Sequence, residues 1–194
     1  MELVVQNRTP EDAAQIVERI CGVCPVSHAH ASSIAGDKAY GITISNNARI
    51  VRNLLEGAQF LHSHILWLYN LAALDYVNPL NALQANVDDA YAVALENGLA
   101  LHSDLNQLYE KLAAFADNGQ LSIFSGNWFD ADGGEAYVDN PEANLILTSH
   151  YLEALKMQAR SSEMAALLGG KMPHVMTSIP GGNMWVPTES KLDD

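Results

Sequence analysis

The sequence has 194 residues, of which 48% are hydrophobic and 17% are charged. A chain of this length fits one globular domain, since domains typically contain about 100–200 residues. The formal net charge is -13, with 10 basic against 23 acidic residues. This balance argues against a nucleic-acid partner, because phosphate binding requires clustered lysine and arginine.

Two helices are predicted in the first part of the chain. Thr9 is a suitable N-cap, followed by proline at the first helical position, and apolar residues then recur on one face until about Ile20. This helix is expected to deliver Cys21 at its end. A second helix is expected to begin near Pro25 and to end at Gly41.

The longest predicted helix begins near Asn46 or Asn47 and ends near Asp75. Its apolar residues recur at spacings of three and four. They are Ile50, Val51, Leu54, Leu55, Ala58, Leu61, Ile65, Leu68 and Leu71. Residues 60–76 are apolar on more than one face. This fits either a helix buried in something larger than this chain or the central helix of a compact bundle.

Two further helices are predicted, with an irregular segment between them. One opens at Asn86 and continues through spaced leucines to Asn118-Gly119, and the last is capped by Asn140 and closed by Gly169-Gly170. The leucines expected to face inward on the last helix are Leu145, Leu152, Leu155 and Leu167. The predicted fold class is mainly α, with long packed helices and a short irregular or β segment around residues 120–140.

Both cysteines lie in the run from Arg19 to His28, which has the pattern C-x-x-C-x-x-x-H. Two thiolates and an imidazole at this spacing are typical metal ligands. A thioredoxin-like redox motif normally follows a strand, whereas here a helix leads in. A structural zinc site needs two more ligands, and zinc modules are small and rich in turns. The histidines that could serve it are His28, His30, His62 and His64. Buried, unreactive cysteines are a further alternative.

The same ten residues resemble the N-terminal nickel-binding motif of the [NiFe]-hydrogenase large subunit, R-x-C-G-x-C-x-x-x-H. Other segments resemble this family in the same order along the chain, so the resemblance covers nearly all of it. These segments are residues 7–13, 49–54, 62–77, 141–155 and 169–174. The chain is therefore interpreted as a single partial domain, residues 1–194, of a hydrogenase large subunit.

The resemblance implies reversible oxidation of H2 to protons and electrons. In the family, nickel is held by four cysteine thiolates, two of which bridge to an iron that carries CO and CN ligands. Cys21 matches the thiolate bound to nickel alone, and Cys24 matches one that bridges to iron. His28 matches a histidine that hydrogen-bonds a sulfur of the centre. Glu2 matches a carboxylate that helps to bind a remote magnesium or iron ion.

The sequence departs from the family pattern in two respects. Ser63 stands where many members have an aspartate between two histidines, so a carboxylate near the centre is absent. Neither the second nickel motif, D-P-C-x-x-C-x-x-H, nor the R-I-E-G-H motif occurs in the sequence. Two of four thiolates cannot hold the centre alone. We therefore expect the isolated chain to be inactive and the missing C-terminal portion of the large subunit to be a partner.

The expected electron-transfer partner is an iron–sulfur small subunit, because the chain has no cysteines beyond the motif for clusters of its own. No apolar run reaches the roughly 18 residues that span a bilayer, so membrane contact is expected only through partners. The expected location is the periplasmic side of the cytoplasmic membrane through partner export, or alternatively the cytoplasm. Two other functions stay open. One is a non-catalytic helical scaffold related to the quinone-site subunit of complex I, which retention of both cysteines disfavours, and the other is a small zinc-binding module.

Overall fold

The computed structural model describes residues 1–124 and 137–188, and the helices and strands given below are those of these two ranges. The helices are α1 (Glu2–Val5), α2 (Pro10–Val17), α3 (Pro25–Tyr40), α4 (Asn46–Ile65), α5 (Val87–Glu96), α6 (Leu105–Asp117) and α7 (Pro141–Gly169). The chain divides into two compact units: unit 1 holds residues 1–64 and those from 158 onward, and unit 2 holds residues 65–157. Among the described residues, no helix combines the length and apolar character needed to cross a membrane.

Local capping signals place the first helices where the sequence predicts them. The Thr9 hydroxyl accepts a hydrogen bond from the Asp12 backbone N–H at 3.2 Å, which fixes the start of α2. A 3-10 turn, Glu18–Ile20, continues this helix to Cys21. Helix α3 ends before Gly41, whose left-handed backbone is a common helix C-terminal conformation. The predicted helices of the first 41 residues are thus confirmed.

Helix α4 begins at Asn46 as predicted, but its regular α geometry ends at Ile65. A π-helical segment, Leu66–Leu71, and a 3-10 turn, Ala72–Asp75, continue the chain to the predicted end. The longest α-helix is therefore α7, with 29 residues against 20 in α4, so the prediction of the longest helix was wrong. The cause is the wider i→i+5 hydrogen bonding of the π segment, which apolar periodicity does not reveal.

The single helix predicted from Asn86 to Gly119 was also wrong, because α5 and α6 are separate. Gly98 follows the end of α5 with a φ of 63°, a backbone conformation that glycine adopts readily. Asp104 then caps α6, since its carboxylate accepts from the Asn106 backbone N–H at 2.9 Å. Leu101, in the connection, packs against the same core as the helices, so the spacing of the leucines conceals the break.

The strands of the described residues form one short antiparallel hairpin. Strand β1 (Ser178–Ile179) pairs with β2 (Gly182–Asn183), with Ser178 opposite Asn183. The β segment predicted around residues 120–140 is not seen in the described part of that range, where Ser122–Phe124 form a 3-10 turn. Residues 125–136 lie outside the described residues.

The core of unit 1 joins α3 to α4. Its buried apolar residues are Val26, Ala29, Leu55, Ala58, Ala165 and Val175. Near the C-terminal end of α3, a Cβ on Gly36 would lie 2.6 Å from Pro180 Cγ, so only glycine permits this close approach of α3 to the β1–β2 turn. These contacts fix the position of α3, the helix that follows the cysteines.

Unit 2 has its own core, formed by α5, α6 and the first part of α7. Leu145 is fully buried there as predicted, whereas Leu152 and Leu155 are 39% and 46% exposed, so their predicted inward orientation was wrong. Unit 2 also contains an apolar cavity of about 650 Å³. Residues lining this cavity include Tyr69, Leu74, Leu108, Phe115, Leu121 and Leu152. Leu152 thus faces the cavity rather than the packed core.

Candidate metal centre

A tight connection between the Glu18–Ile20 turn and α3 carries both cysteines. The Cys21 backbone N–H donates to the Glu18 carbonyl at 3.3 Å, and Cys24 is the N-cap of α3. Pro25 occupies the first helical position, where its missing N–H costs no hydrogen bond. In a thioredoxin-like motif the first cysteine would open the helix, whereas here the second one does, which removes support for that alternative.

The structure brings Cys21, Cys24 and His28 together. The Cys24 thiol donates to the Cys21 sulfur at 2.7 Å, and one ligand atom from each of the three side chains lies within 4.8 Å of the others. His28 follows Cys24 by four residues, so both face the same side of α3. Within the described ranges this is the one cluster of three such side chains able to hold a metal ion.

The two thiols differ in acidity. The hydrogen bond from the Cys24 thiol lowers the pKa of Cys21, and backbone N–H groups of Cys24 and Val23 lower it further against the opposing effect of burial. Burial, together with the neighbouring Cys21 sulfur and the charge of Glu56, raises the pKa of Cys24 to about 11. Cys21 is therefore the more acidic thiol of the pair.

Helix α4 contacts the cysteine loop through Gln59, which is almost fully buried. Its side-chain N–H2 donates to the Val23 carbonyl at 2.9 Å and to the Ser63 hydroxyl at 2.8 Å. Ser63 stands where many members of the family resembled have an aspartate. It is connected to the cysteine loop through its hydrogen bond with Gln59.

One turn earlier on α4, Glu56 contacts the first turns of α3. Its carboxylate accepts from the Ser27 hydroxyl at 2.6 Å, and it pairs with His30 Nδ1 at 3.3 Å. The hydrogen bond from His30 lowers the pKa of Glu56, which keeps the carboxylate charged in spite of its partial burial. The helix turn that carries His28 is thereby fixed from the α4 side.

The other histidines and Glu2 lie apart from the cysteines. His64 Nδ1 is 2.8 Å from the Phe60 carbonyl, and burial lowers the pKa of His62. Neither these two nor His30 joins the cysteine cluster of the described residues, so a zinc site built from them gains no support. Glu2 is exposed in α1, and its predicted role at a remote ion stays a prediction.

A buried carboxylate lies just before the cysteine loop. The Glu18 side chain is fully inaccessible to solvent, its Oε2 is 3.4 Å from the Arg19 guanidinium, and its Oε1 has no partner among the described residues. Burial raises the pKa of Glu18 to about 7, although the charges of Arg19 and Lys171 oppose this. Glu18 is thus a second titratable group near the loop.

Sequence reasoning missed Gln59, Glu56, Ser27 and Glu18. Glu56 and Gln59 interrupt the apolar pattern of α4 at a spacing of three, and polar residues on a predicted buried face are a signal that could have marked them. The sequence gives no signal for the partners of these residues. Val23 precedes Gln59 by 36 residues, and only the packing of α3 on α4 brings the two together.

Comparison with known proteins identifies the family. The family model described as nickel-dependent hydrogenase matches residues 1–193. The hydrogenase-2 large chain of Escherichia coli K12 is 40% identical over 187 residues, covering 94% of this chain and 32% of its own length. The uptake hydrogenase large subunit of Rhodobacter capsulatus is 38% identical over 178 residues, covering 90% and 29%. The chain therefore belongs to the nickel-dependent hydrogenase family.

Solved structures agree with this result. The Ni-Fe-Se hydrogenase of D. vulgaris Hildenborough in the as-isolated oxidized state matches with a TM-score of 0.69 and 33% identity, covering 98% of this chain and 31% of that one. The H2-activated [NiFeSe]-hydrogenase of Dm. baculatum matches with the same TM-score and identity, covering 100% and 32%. The chain thus spans about a third of the length of these relatives. The predicted helical fold of a hydrogenase large subunit is confirmed, and the complex I-like scaffold and the zinc module gain no support.

Proposed function

We propose that this chain supplies Cys21 and Cys24 to the nickel–iron centre of a [NiFe]-hydrogenase, whose complete form oxidises H2 reversibly to protons and electrons. The observation that carries the proposal is the convergence of Cys21, Cys24 and His28 within 4.8 Å, in a chain whose family is nickel-dependent. Thiolate sulfur is a soft donor that suits nickel and low-spin iron, so the residues present fit the metals.

Within this proposal the two cysteines have different roles. Cys21 would hold nickel, and Cys24 would hold nickel together with an iron that carries CO and CN ligands. When bound, the centre supplies heterolytic cleavage of H2. The Cys21 sulfur would be available to hold a proton, because a thiolate bound to a single metal keeps free lone pairs. His28 hydrogen-bonds a sulfur of the centre and adjusts its basicity, which its position within 4.8 Å of both cysteine ligand atoms supports.

The remaining ligands come from outside this sequence. Nickel needs two further thiolates, and we place them in a C-terminal portion of the large subunit with the D-P-C-x-x-C pattern. Exposed apolar side chains on α4 support such a partner: Ile50, Leu54, Phe60 and Leu61 are 44%, 55%, 58% and 47% exposed. Several large exposed apolar side chains on one helix are typical of a surface that another polypeptide covers.

The proposal also includes an iron–sulfur small subunit as electron acceptor and a remote ion near Glu2. Both cysteines of the sequence belong to the candidate centre, so iron–sulfur clusters need cysteines from outside this sequence. The carboxylate of Glu2 is exposed and thus available to a magnesium or iron ion. We further propose location on the periplasmic side of the cytoplasmic membrane, which fractionation of the native host would test.

Co-production tests the proposed function. We would assay H2-dependent dye reduction by the chain alone and by the chain produced with the C-terminal portion and the small subunit in a host with the maturation proteins. We expect activity only in the second case, because the chain alone lacks two of the four thiolates. Activity of the chain alone, or none in a complex shown to be assembled and to contain metal, would contradict the proposal.

A further inference from the structure

A single peptide group links helix α4 to the sulfur of Cys21. The group between Val23 and Cys24 is held at both ends: its carbonyl accepts from Gln59 Nε2 at 2.9 Å, and its N–H donates to Cys21 Sγ at 3.2 Å. A trans peptide is planar, with its C=O and N–H pointing in opposite directions, so fixing the carbonyl also fixes the N–H. The direction of the N–H toward Cys21 therefore depends on Gln59.

We infer that Gln59 is a positioning residue that holds the Val23–Cys24 peptide so that its N–H is directed at the Cys21 sulfur. This inference rests on the proposed function, in which that sulfur is a nickel ligand. The side-chain hydrogen bonds of Gln59 go to Val23 and Ser63 rather than to the sulfur, so Gln59 acts on Cys21 through the peptide group. Nothing in the sequence motif identifies it, since it lies on α4, outside the cysteine run.

The orientation of the Gln59 amide follows from its partners. A carbonyl oxygen can only accept a hydrogen bond, so the N–H2 end of the amide must face Val23. The same nitrogen donates to Ser63, which uses both of its hydrogens. The side chain is 1% exposed, and water therefore does not replace either bond.

The remaining amide oxygen shows that Gln59 is not placed for packing stability alone. Gln59 Oε1 is buried and has no partner among the described residues. A buried acceptor without a partner is unfavourable, and an apolar side chain of similar length would avoid it. Holding the Val23 carbonyl is the contact that the amide makes and that an apolar side chain cannot.

The consequence for Cys21 is both geometric and electronic. An N–H that donates to a thiolate fixes the direction of the sulfur lone pairs and draws negative charge from the sulfur. Partners that orient metal ligands in this way typically contribute about 10–100-fold to metal affinity. Loss of Gln59 should therefore weaken nickel binding through Cys21 by releasing the orientation of its sulfur, and should alter the spectrum of the thiolate–nickel bond because the sulfur regains charge.

Titration of the full 194-residue chain with Ni²⁺ tests the inference without hydrogenase activity. Thiolate-to-nickel charge-transfer absorption reports binding, and the Cys24→Ser variant shows which absorption belongs to the pair. We would compare Gln59→Met, which keeps the length of the side chain, and Gln59→Glu, which replaces the donor by an acceptor. For both variants we expect about tenfold weaker binding and a shift of the absorption band to longer wavelength, because the sulfur regains electron density.

Arg52→Met provides the matched control. Arg52 is 2% exposed on the same helix, but its hydrogen bonds go to Asp37, Ile179 and Gly182 rather than to the cysteine loop. Its loss should lower the unfolding midpoint and leave the band position and the nickel affinity of the folded chain unchanged. Ser63→Ala, which removes only the other partner of Gln59, should have a smaller effect than either Gln59 variant.

Three results would overturn the inference. They are wild-type affinity and band position in both Gln59 variants, an equal change in Arg52→Met, and absence of a thiolate–nickel band in the wild-type chain. None of them decides the hydrogenase proposal, which is judged by metal content and activity of the assembled subunit. A failure of Gln59 as a positioning residue is thus distinguishable from a failure of the proposed function.

Discussion

The α3–α4 pair has two ends that differ in how their polar groups are satisfied. At one end, Arg52 donates to Asp37 at 2.6 Å and to the Ile179 and Gly182 carbonyls, and the Gly181 N–H completes the carboxylate shell at 2.6 Å. At the other end, the two cysteines form no disulfide, and Gln59 Oε1 has no hydrogen-bond partner among the described residues. The end with Arg52 stabilises the fold, whereas the end with the cysteines keeps sulfur atoms available to bind a ligand.

This difference separates stability from function on the same two helices. A fully satisfied buried network rigidifies the structure, whereas incompletely satisfied groups cost stability and concentrate at functional sites. Changes at the Arg52 end should therefore affect unfolding most, and changes at the cysteine end should affect metal binding and pH dependence.

The largest effect on stability is expected from Arg52→Met. Removing Arg52 leaves the buried Asp37 carboxylate without its counter-ion, and breaking a buried ion pair typically costs about 3–5 kcal/mol. Burial alone would raise the pKa of Asp37, but the hydrogen bond and charge of Arg52 and the Gly181 N–H lower it. Denaturant unfolding at pH 7 measures the loss. A change below about 1 kcal/mol would show that this end does not hold the fold, since exposed pairs have values of that size.

The next effect is a pH-dependent one at Glu18. Its pKa is raised to about 7 by burial, so the folded chain retains a proton that the unfolded chain releases near pH 4.5. The contribution of Glu18 to wild-type stability should therefore fall as the pH rises from about 4.5 to 7 and remain reduced above that range. Glu18→Gln should stabilise the chain at pH 8 by an amount on the order of 3 kcal/mol, and change little at pH 5.

Unfolding of both chains at pH 5 and pH 8 checks this expectation. Glu11, whose pKa is lowered by backbone hydrogen bonding on an exposed part of α2, provides the control, because Glu11→Gln should not stabilise the chain at pH 8. A Glu18→Gln effect of equal size at both pH values would mean that the carboxylate is already ionised in the folded chain.

The smallest expected change in stability concerns Gly57, on the exposed face of α4. A Cβ at this position would meet nothing within 4 Å in the described chain, so Gly57→Ala and Gly57→Leu should each stabilise the isolated chain by about 0.5–1 kcal/mol through helix propensity. If a helix of the C-terminal portion crosses α4 at Gly57, the same substitutions should weaken assembly of the complex. We expect lower recovery of the complex with alanine and less still with leucine.

Thermal unfolding of the isolated variants and co-purification with the C-terminal portion measure the two effects. Equal recovery of wild type and Gly57→Leu complexes would show that the partner does not approach α4 at this glycine. A destabilised isolated chain would instead show that the glycine is required within this chain.

Local signals made much of the fold predictable. Thr9, Pro25 and Gly41 mark helix ends through capping and backbone geometry that depend on neighbouring residues only. The break near Gly98 was missed because Leu101 continues the apolar spacing across it. Burial on α4 was also unpredictable, because periodicity shows an apolar face but not which polypeptide covers it.

The candidate site was predictable only as far as the cysteine motif extends. Cys21, Cys24 and His28 follow from spacing, since a turn and the first turn of a helix place them together. Their supporting residues depend on contacts between distant segments, such as Gln59 with Val23 and Ser27 with Glu56. Such contacts follow from the packing of α3 on α4 and have no signature in the local sequence.

The most direct test of the central claim is the nickel and iron content of the assembled large subunit carrying Cys24→Ser. Val23→Ser is the matched control, because it introduces the same residue at an adjacent, exposed position and keeps both thiols. We expect the nickel–iron centre to be absent in Cys24→Ser, since a hydroxyl does not bridge two soft metals as a thiolate does, and to be retained in Val23→Ser. Wild-type nickel and iron in Cys24→Ser would contradict the assignment of this chain as a contributor of ligands to the centre.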